Sequence, residues 1–442
     1  MPKHKRRREE EESDDGDERD GDGDASDDSD DEEESFFNAC AEGELQKIEE
    51  MHAAGAACVD AVEPEEGDTP LGVACRFGHL DVAKWLVAHG AKPTEPNFAG
   101  EAPLHDACLV GNVPTIEWLL SLPGLGDAAA GSSSSAEAGA SAEPPIDRRT
   151  ANGMTPIGFA ALHGHTDAVK ALAAKGADTA ITDAEGHTLM HLACSNGQTA
   201  TAEALKDLNV PASTTDAAGR TPMHLACGEG HVATAQWLHD KCALAVDAAD
   251  SGAAQPLHFA CAAGDEPTVR WLLEAGASAE CATEDENTPL HHACQFGSVE
   301  MAEVLLGAGA EASAANSDGD TPFLLSCFGG HIELCQLLLS KGEAAEQVNN
   351  AKCSGLLQAC VAGHLSLAKW LLIKAPTLLD SPDDEGDSPL VHCCAHGHLE
   401  VAEWLLEQGA VPTKAAAKAA KSHQGVAQLL KKALKTTRDA AE

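Results

Sequence analysis

Cysteine and histidine are the side chains in this chain best suited to bind a metal or attack a substrate, and there are 16 of the first and 21 of the second. Thiolate and imidazole are ligands for Zn²⁺ or Cu⁺. They are densest at His392-Cys393-Cys394-Ala395-His396-Gly397-His398, which gives a metal-binding enzyme at His392–His398 as one reading. Their spacing elsewhere argues for packing instead. Ten cysteines (Cys40, Cys75, Cys108, Cys194, Cys227, Cys261, Cys294, Cys327, Cys360 and Cys394) hold one position of a recurring unit, and Ala161 fills it in another copy. A residue that exchanges with alanine in phase is a small packing residue, and a free cysteine behaves as a small hydrophobe. No Cys-x-x-Cys pair, phosphate-binding glycine loop, Gly-x-Ser-x-Gly elbow, kinase signature or His-Glu-x-x-His helix occurs. The expectation is therefore no catalytic residue, no metal, no cofactor and no enzyme.

The elements that carry these residues follow from the repeat. A phrase of the form T-P-L-H-x-A-C-x-x-G-H recurs from Thr69-Pro70-Leu71 to Ser388-Pro389 in ten copies, spaced by 33 or 34 residues except for one step of 53. Thr or Ser caps a helix start, and Pro at the first helical position loses no hydrogen bond. A first helix of about two turns is predicted to end near the Gly-His pair. A second carries an apolar stripe such as Val82-Ala83-x-Trp85-Leu86, and all six tryptophans share one place on it, which marks them as core. Pairs such as Gly90-Ala91 end the second helix, and segments such as Asp183-Ala184-Glu185-Gly186 turn the chain toward the next copy.

With these phrases the sequence resembles the ankyrin-repeat family over roughly residues 35–430. The resemblance implies an all-α solenoid of about ten full repeats, with degenerate capping repeats at each end and short β-hairpin loops between helix pairs. It also implies that the phase-locked histidines, His105, His191, His224, His258 and His291 in the capping phrase and His79, His165, His231, His331, His364 and His398 after glycine, bridge neighbouring repeats. Gly355 and Leu189 replace the usual Pro, and Glu286 replaces the turn Gly, so those repeats are expected to be locally looser.

Domain boundaries follow from composition. Residues 1–34 read as a disordered acidic tail with a basic start, Lys3-His4-Lys5-Arg6-Arg7-Arg8, which is a candidate nuclear import signal. Residues 35–412 form the array, with a flexible Gly, Ala and Ser-rich insertion over 124–147, and 413–442 supply capping helices and a basic tail. The formal charge is -43, of which -31 remains once residues 1–35 are set aside. Such a surface repels phosphate backbones and anionic lipid and favours a basic partner. No stretch approaches the roughly 18 apolar residues of a membrane helix. A cytoplasmic monomer, also able to enter the nucleus, is expected.

The function read from this is a scaffold or adaptor that binds a partner protein. An alternative is an acidic chaperone or nuclear regulator that holds basic proteins with its N-terminal tail. In the family's plan the inner, concave face is made of loop tips and first helices, which implies partner-binding residues at Asp68, Arg76, Phe77, Glu101, Arg220, Glu229, Asn287, Gln295, Phe296, Asp320, Phe328 and Asp387. Phe77, Phe296 and Phe328 are the expected anchors, because exposed aromatics dominate many interfaces.

Overall fold

The computed structural model describes residues 27–55, 58–125 and 144–439. Among these residues are 24 α-helices, three short 3-10 turns and no strand. The helices come in pairs, a first helix such as Pro70–Arg76 and a second such as Leu80–Ala88, and this repeats to the end of the chain. Each first helix packs on the next, Pro70–Arg76 on Pro103–Leu109, that one on Pro156–Leu162, and so on to Lys414–Ala419. The all-α solenoid expected from the repeat is the observed architecture.

Local chemistry places the helix starts. The Thr69 hydroxyl accepts the Gly72 N–H at 3.0 Å, and Thr155, Thr321, Ser354 and Thr413 cap their helices in the same way. Helices of 7 to 9 residues are too short to persist alone, because nucleation is costly and few hydrogen bonds follow it. Stacking compensates. Leu71, Ala74 and Cys75 of one first helix and Ala83 and Leu86 of its second have no accessible surface, and their equivalents join one apolar cluster along the array. All ten in-phase cysteines, and Ala161, are fully buried. The tryptophans differ from expectation: all six are half-buried, packed against the core without being part of it.

The interruption does not break the stack. Pro103–Leu109 and Pro156–Leu162 lie directly against each other across it, and the chain re-enters through the 3-10 turn Pro145–Asp147. Residues 126–143 of the insertion, and the acidic tail through residue 26, lie outside the described residues. The first helix is Asp27–Glu42, so it begins inside the segment read as tail, and Phe36, Ala39 and Cys40 on it are buried. At the other end Thr413 caps Lys414–Ala419, and the final helix Gln424–Asp439 buries Val426 and Leu430. Beside this last helix Leu406, Val411 and Leu429 line a cavity of about 680 Å³.

The loops expected as β-hairpins are tighter than that. Apart from the six-residue turn from Glu63 to Asp68, each is a turn closed by a backbone bond over five residues, as in Asp216 N–H to Arg220 O at 3.0 Å or Thr283 N–H to Asn287 O at 3.0 Å. Among the described residues one isolated antiparallel bridge, Val348 with Ser354, is the nearest approach to a ladder. Past a five-residue loop the capping Thr or Ser begins the next helix at once, so no pairing beyond a single flanking pair such as Val348 with Ser354 can follow.

Candidate functional site

The turn tips stand beside the N-terminal ends of the first helices, and they are joined to one another. Phe98 N–H donates to Glu66 O at 3.0 Å, Ala151 to Ala99 at 2.9 Å, Ala184 to Asn152 at 3.0 Å, and the same bond recurs at every step to Asp384 with Ala351 at 3.0 Å. A left-handed residue makes each tip possible. At Gly153, φ is 76° and an added Cβ would stand 2.7 Å from the Ala184 nitrogen, so glycine is favoured there. Ala253, Glu286 and Lys352 adopt the same conformation with φ of 61°, 60° and 58° in spite of a Cβ. The tip of Glu286 therefore keeps its shape, contrary to the looser local structure expected there.

The capping-phrase histidines lock tip to helix. His291 Nε2 donates to Asp320 O at 3.0 Å in the following repeat, while its Nδ1 accepts from the Thr288 N–H at 3.0 Å and hydroxyl at 2.8 Å. His105, His191, His224 and His258 repeat the pattern onto Arg148, Arg220, Ala254 and Asn287 carbonyls. An imidazole that donates through Nε2 and accepts through Nδ1 must be neutral. Burial favours this form too, and holds His105 and His291 down to about 4 and the other three below the ordinary value. The second set reaches back: His79 Nε2 lies 2.9 Å from Ala41 O, His165 2.9 Å from Leu109 O and His398 2.8 Å from Val361 O. The bridging role implied for these histidines is present throughout the first set and, in the second, at His79, His165, His331, His364 and His398.

Several of the residues expected to meet a partner are engaged within the chain. Asp68 is buried and accepts both terminal nitrogens of Arg76, whose Nε donates to buried Asp106 at 2.8 Å. Asn97 ties Asp68 to Glu101 at 2.9 and 3.1 Å. Burial raises the Asp106 carboxyl to about 7, with Arg76 opposing the shift. Arg220 is held by Asp216 at 2.7 Å, and Asn287 and Asp320 accept from Asn316 and Asn349, each at 2.9 Å. Asp387 N–H donates to Asp383 at 2.8 Å. Asp68, Arg76, Asn287 and Asp320 are bonded across repeats, whereas the bonds of Arg220 to Asp216 and of Asp387 to Asp383 close their own tips. Glu229 and Gln295 are exposed, and Phe77, Phe296 and Phe328 are 57%, 57% and 47% exposed.

The face between tips and phenylalanines carries residues that sequence reasoning did not pick out. Two residues before each in-phase cysteine, half-buried Leu225, Phe259 and Leu325 form an apolar column, joined by Phe159 two residues before Ala161. Phe159 and Phe259 pack edge-on against His105 and His224 of the preceding repeats. Leu225, Gly228, Phe259 and Ala262 line a notch of about 290 Å³ with Arg220 and Glu229 at its rim. Phe98, 70% exposed, lies at a tip. The signal for the column was available: this helical position varies freely between apolar and polar types while its neighbours repeat.

The side chains from His392 to His398 are dispersed. Cys393 and Cys394 are in the core, His392 meets Asp383 at 2.7 Å, and the His396 and His398 rings bond to the His392 and Val361 carbonyls. Among the described residues no three His, Cys, Asp or Glu side chains converge as a metal set.

A comparison with curated proteins gives no match. Family models described as ankyrin repeats match residues 36–127, 128–212, 206–283 and 257–352, and a second such model matches 356–406. Those matches cover nearly the whole stacked array, and the chain belongs to the ankyrin-repeat family.

Proposed function

We propose that this chain is a scaffold or adaptor that holds a partner protein with a basic surface against the concave face of its array. Ankyrin repeats are in general protein–protein interaction modules, and that much is a property of the family. The observation that carries the finer reading is the set of exposed phenylalanines, Phe77, Phe296 and Phe328, at the C-terminal ends of first helices in an array whose tips carry exposed carboxylates such as Glu185, Glu284, Asp285 and Glu286. Exposed aromatics supply contact energy, and the acidic rim steers a cation-rich surface into place. The reading includes a monomer that neither binds nucleic acid directly nor inserts in a membrane. It places the protein in the cytoplasm, with residues 3–8 available for nuclear import. Affinity capture with the full chain and with a Phe77→Ala, Phe296→Ala, Phe328→Ala version tests it. Loss of a specific partner in the altered chain is the expected result, and equal recovery by both contradicts it. The same capture with residues 1–26 deleted separates the array from the tail. The deletion stops at 26 because the helix from Asp27 carries buried Phe36.

A further inference from the structure

The far end of the stack reverses the charge of everything before it. Residues 413–435 hold six lysines and no carboxylate, whereas residues 36–412 carry a formal charge of -36. Lys414 and Lys418 lie on the helix Lys414–Ala419, Lys421 in the 3-10 turn Ala420–Ser422, and Lys431, Lys432 and Lys435 on the final helix Gln424–Asp439. All six are exposed. On the final helix Gln428, Lys431, Lys432 and Lys435 have helical spacing and share one face, while Val426 and Leu430 are buried on another. Ion pairs among the described residues engage cations such as Arg76, Arg220 and Arg270, and leave Lys414, Lys418, Lys421, Lys431 and Lys435 without a carboxylate. Glu403 and Glu407, exposed on the preceding second helix, share a cavity wall with Lys432 and bound the patch on that side.

A cationic patch on an otherwise anionic molecule selects among polyanions. A long, stiff one such as a nucleic acid duplex runs on past the patch into the field of the array and is repelled. Helices that lie on anionic lipid bury an apolar side in it, and the apolar side of Gln424–Asp439 is already committed to the stack. A short acidic polypeptide segment meets neither obstacle. The chain contains one, residues 9–26, with 11 carboxylates and a single cation, Arg19. Those residues span at most about 65 Å when fully extended. The helix Lys414–Ala419 lies eleven first-helix steps from Asp27–Glu42, where the segment joins the array. At roughly 8–10 Å per step the patch is about 90–110 Å away along the stack, beyond the reach of the same chain's tail.

We propose that the lysines of the last helix pair bind the acidic N-terminal segment, residues 9–26, of a second copy of this chain, so that copies link end to end through the tail. The link goes beyond the concave-face reading and makes no use of Phe77, Phe296 or Phe328. Exposed ion pairs are individually weak and screened by salt, so the link forms at high protein concentration and low salt, and the dilute chain remains a monomer.

Complementation between two altered chains tests this. One carries Lys414→Gln, Lys418→Gln, Lys421→Gln, Lys431→Gln and Lys435→Gln and keeps its tail, and the other keeps its lysines and lacks residues 1–26. Sedimentation equilibrium at low salt should show concentration-dependent association of the unaltered chain, none in either altered chain alone, and a one-to-one pair when the two are mixed. A dye-labelled peptide of residues 9–26 should bind the shortened chain, and at least about tenfold less tightly once the five lysines are replaced in it. The replaced side chains are all exposed, and circular dichroism checks that the array persists. An unaltered chain that stays monomeric at every concentration, a mixture that fails to pair, or a peptide indifferent to the lysines overturns the proposal. Tighter binding of a DNA duplex or of phosphatidylserine vesicles than of the peptide overturns it as well. Both altered chains retain the three phenylalanines, so these outcomes leave the concave-face reading to its own test.

Discussion

His105 is 1% exposed and bonded on both ring nitrogens, so protonating it would break a hydrogen bond and leave a charge without water. Its folded pKa near 4 lies below the unfolded value near 6.5, so between these limits the unfolded chain binds the extra proton. The stabilisation is complete above about pH 6.5 and is lost as pH falls toward 4, at up to roughly 3 kcal/mol for such a shift. His291 behaves likewise, His191, His224 and His258 add in the same direction, and Asp106 and Asp320, whose carboxyls burial raises, oppose them. Melting temperature should therefore drop steeply between pH 6.5 and 4, and a flat profile would show that these rings are not held neutral. The tips give a second residue-scale prediction. Glu286 sits at φ 60°, a conformation that costs an L-residue roughly 1–2 kcal/mol and glycine little. Glu286→Gly should raise stability by about 1 kcal/mol in urea unfolding, and a loss would mean that the carboxylate has a structural role. In both cases the sequence shows which position is special, through phase, while the protonation state and the backbone angle emerge only once the next repeat is in place.

Helices of two turns depend on their ends. The Thr69 hydroxyl caps Pro70–Arg76 by accepting from Gly72, and replacing it by alanine leaves that donor without its partner. Thr69→Ala should cost about 1 kcal/mol, measured by denaturant midpoint, and no change would show that water replaces the hydroxyl freely. Helix starts were legible because capping and proline act within a few residues of sequence. The loops were not: whether Asp216 to Arg220 forms a ladder or a single closed turn depends on how few residues separate two helices already fixed by packing. The half-burial of the tryptophans has the same origin. Trp85 and its counterparts lie at the margin of the apolar stripe, and only the neighbouring second helix determines how much of each ring is covered. The Arg76, Asp68 and Asp106 cluster was likewise out of reach, since its members come from two repeats with no phase to mark them.

At the scale of the molecule, stability is a sum of repeats and the interfaces between them, so a local change need not spread. The bond from Ala151 to Ala99 and the direct packing of Pro103–Leu109 on Pro156–Leu162 hold the stack in register across the insertion. Deleting residues 126–143 should leave the melting temperature within a few degrees of the full chain, and a collapse would mean that the insertion contributes to the stack. The array was readable from its period, and the partner-binding face only in outline. Bonds such as those of Asn287 to Asn316 and Asp320 to Asn349 show only once repeats are stacked, whereas the column at Leu225, Phe259 and Leu325 could have been read from a helical position that varies while its neighbours repeat. Hydrogen–deuterium exchange on the full chain with and without a captured partner tests the account most directly. Protection is predicted at the tips 283–287 and 316–320 and on the first helices Pro256–Ala263, Pro289–Phe296 and Pro322–Gly329. Protection confined to the second helices, or to residues 1–26, would contradict it.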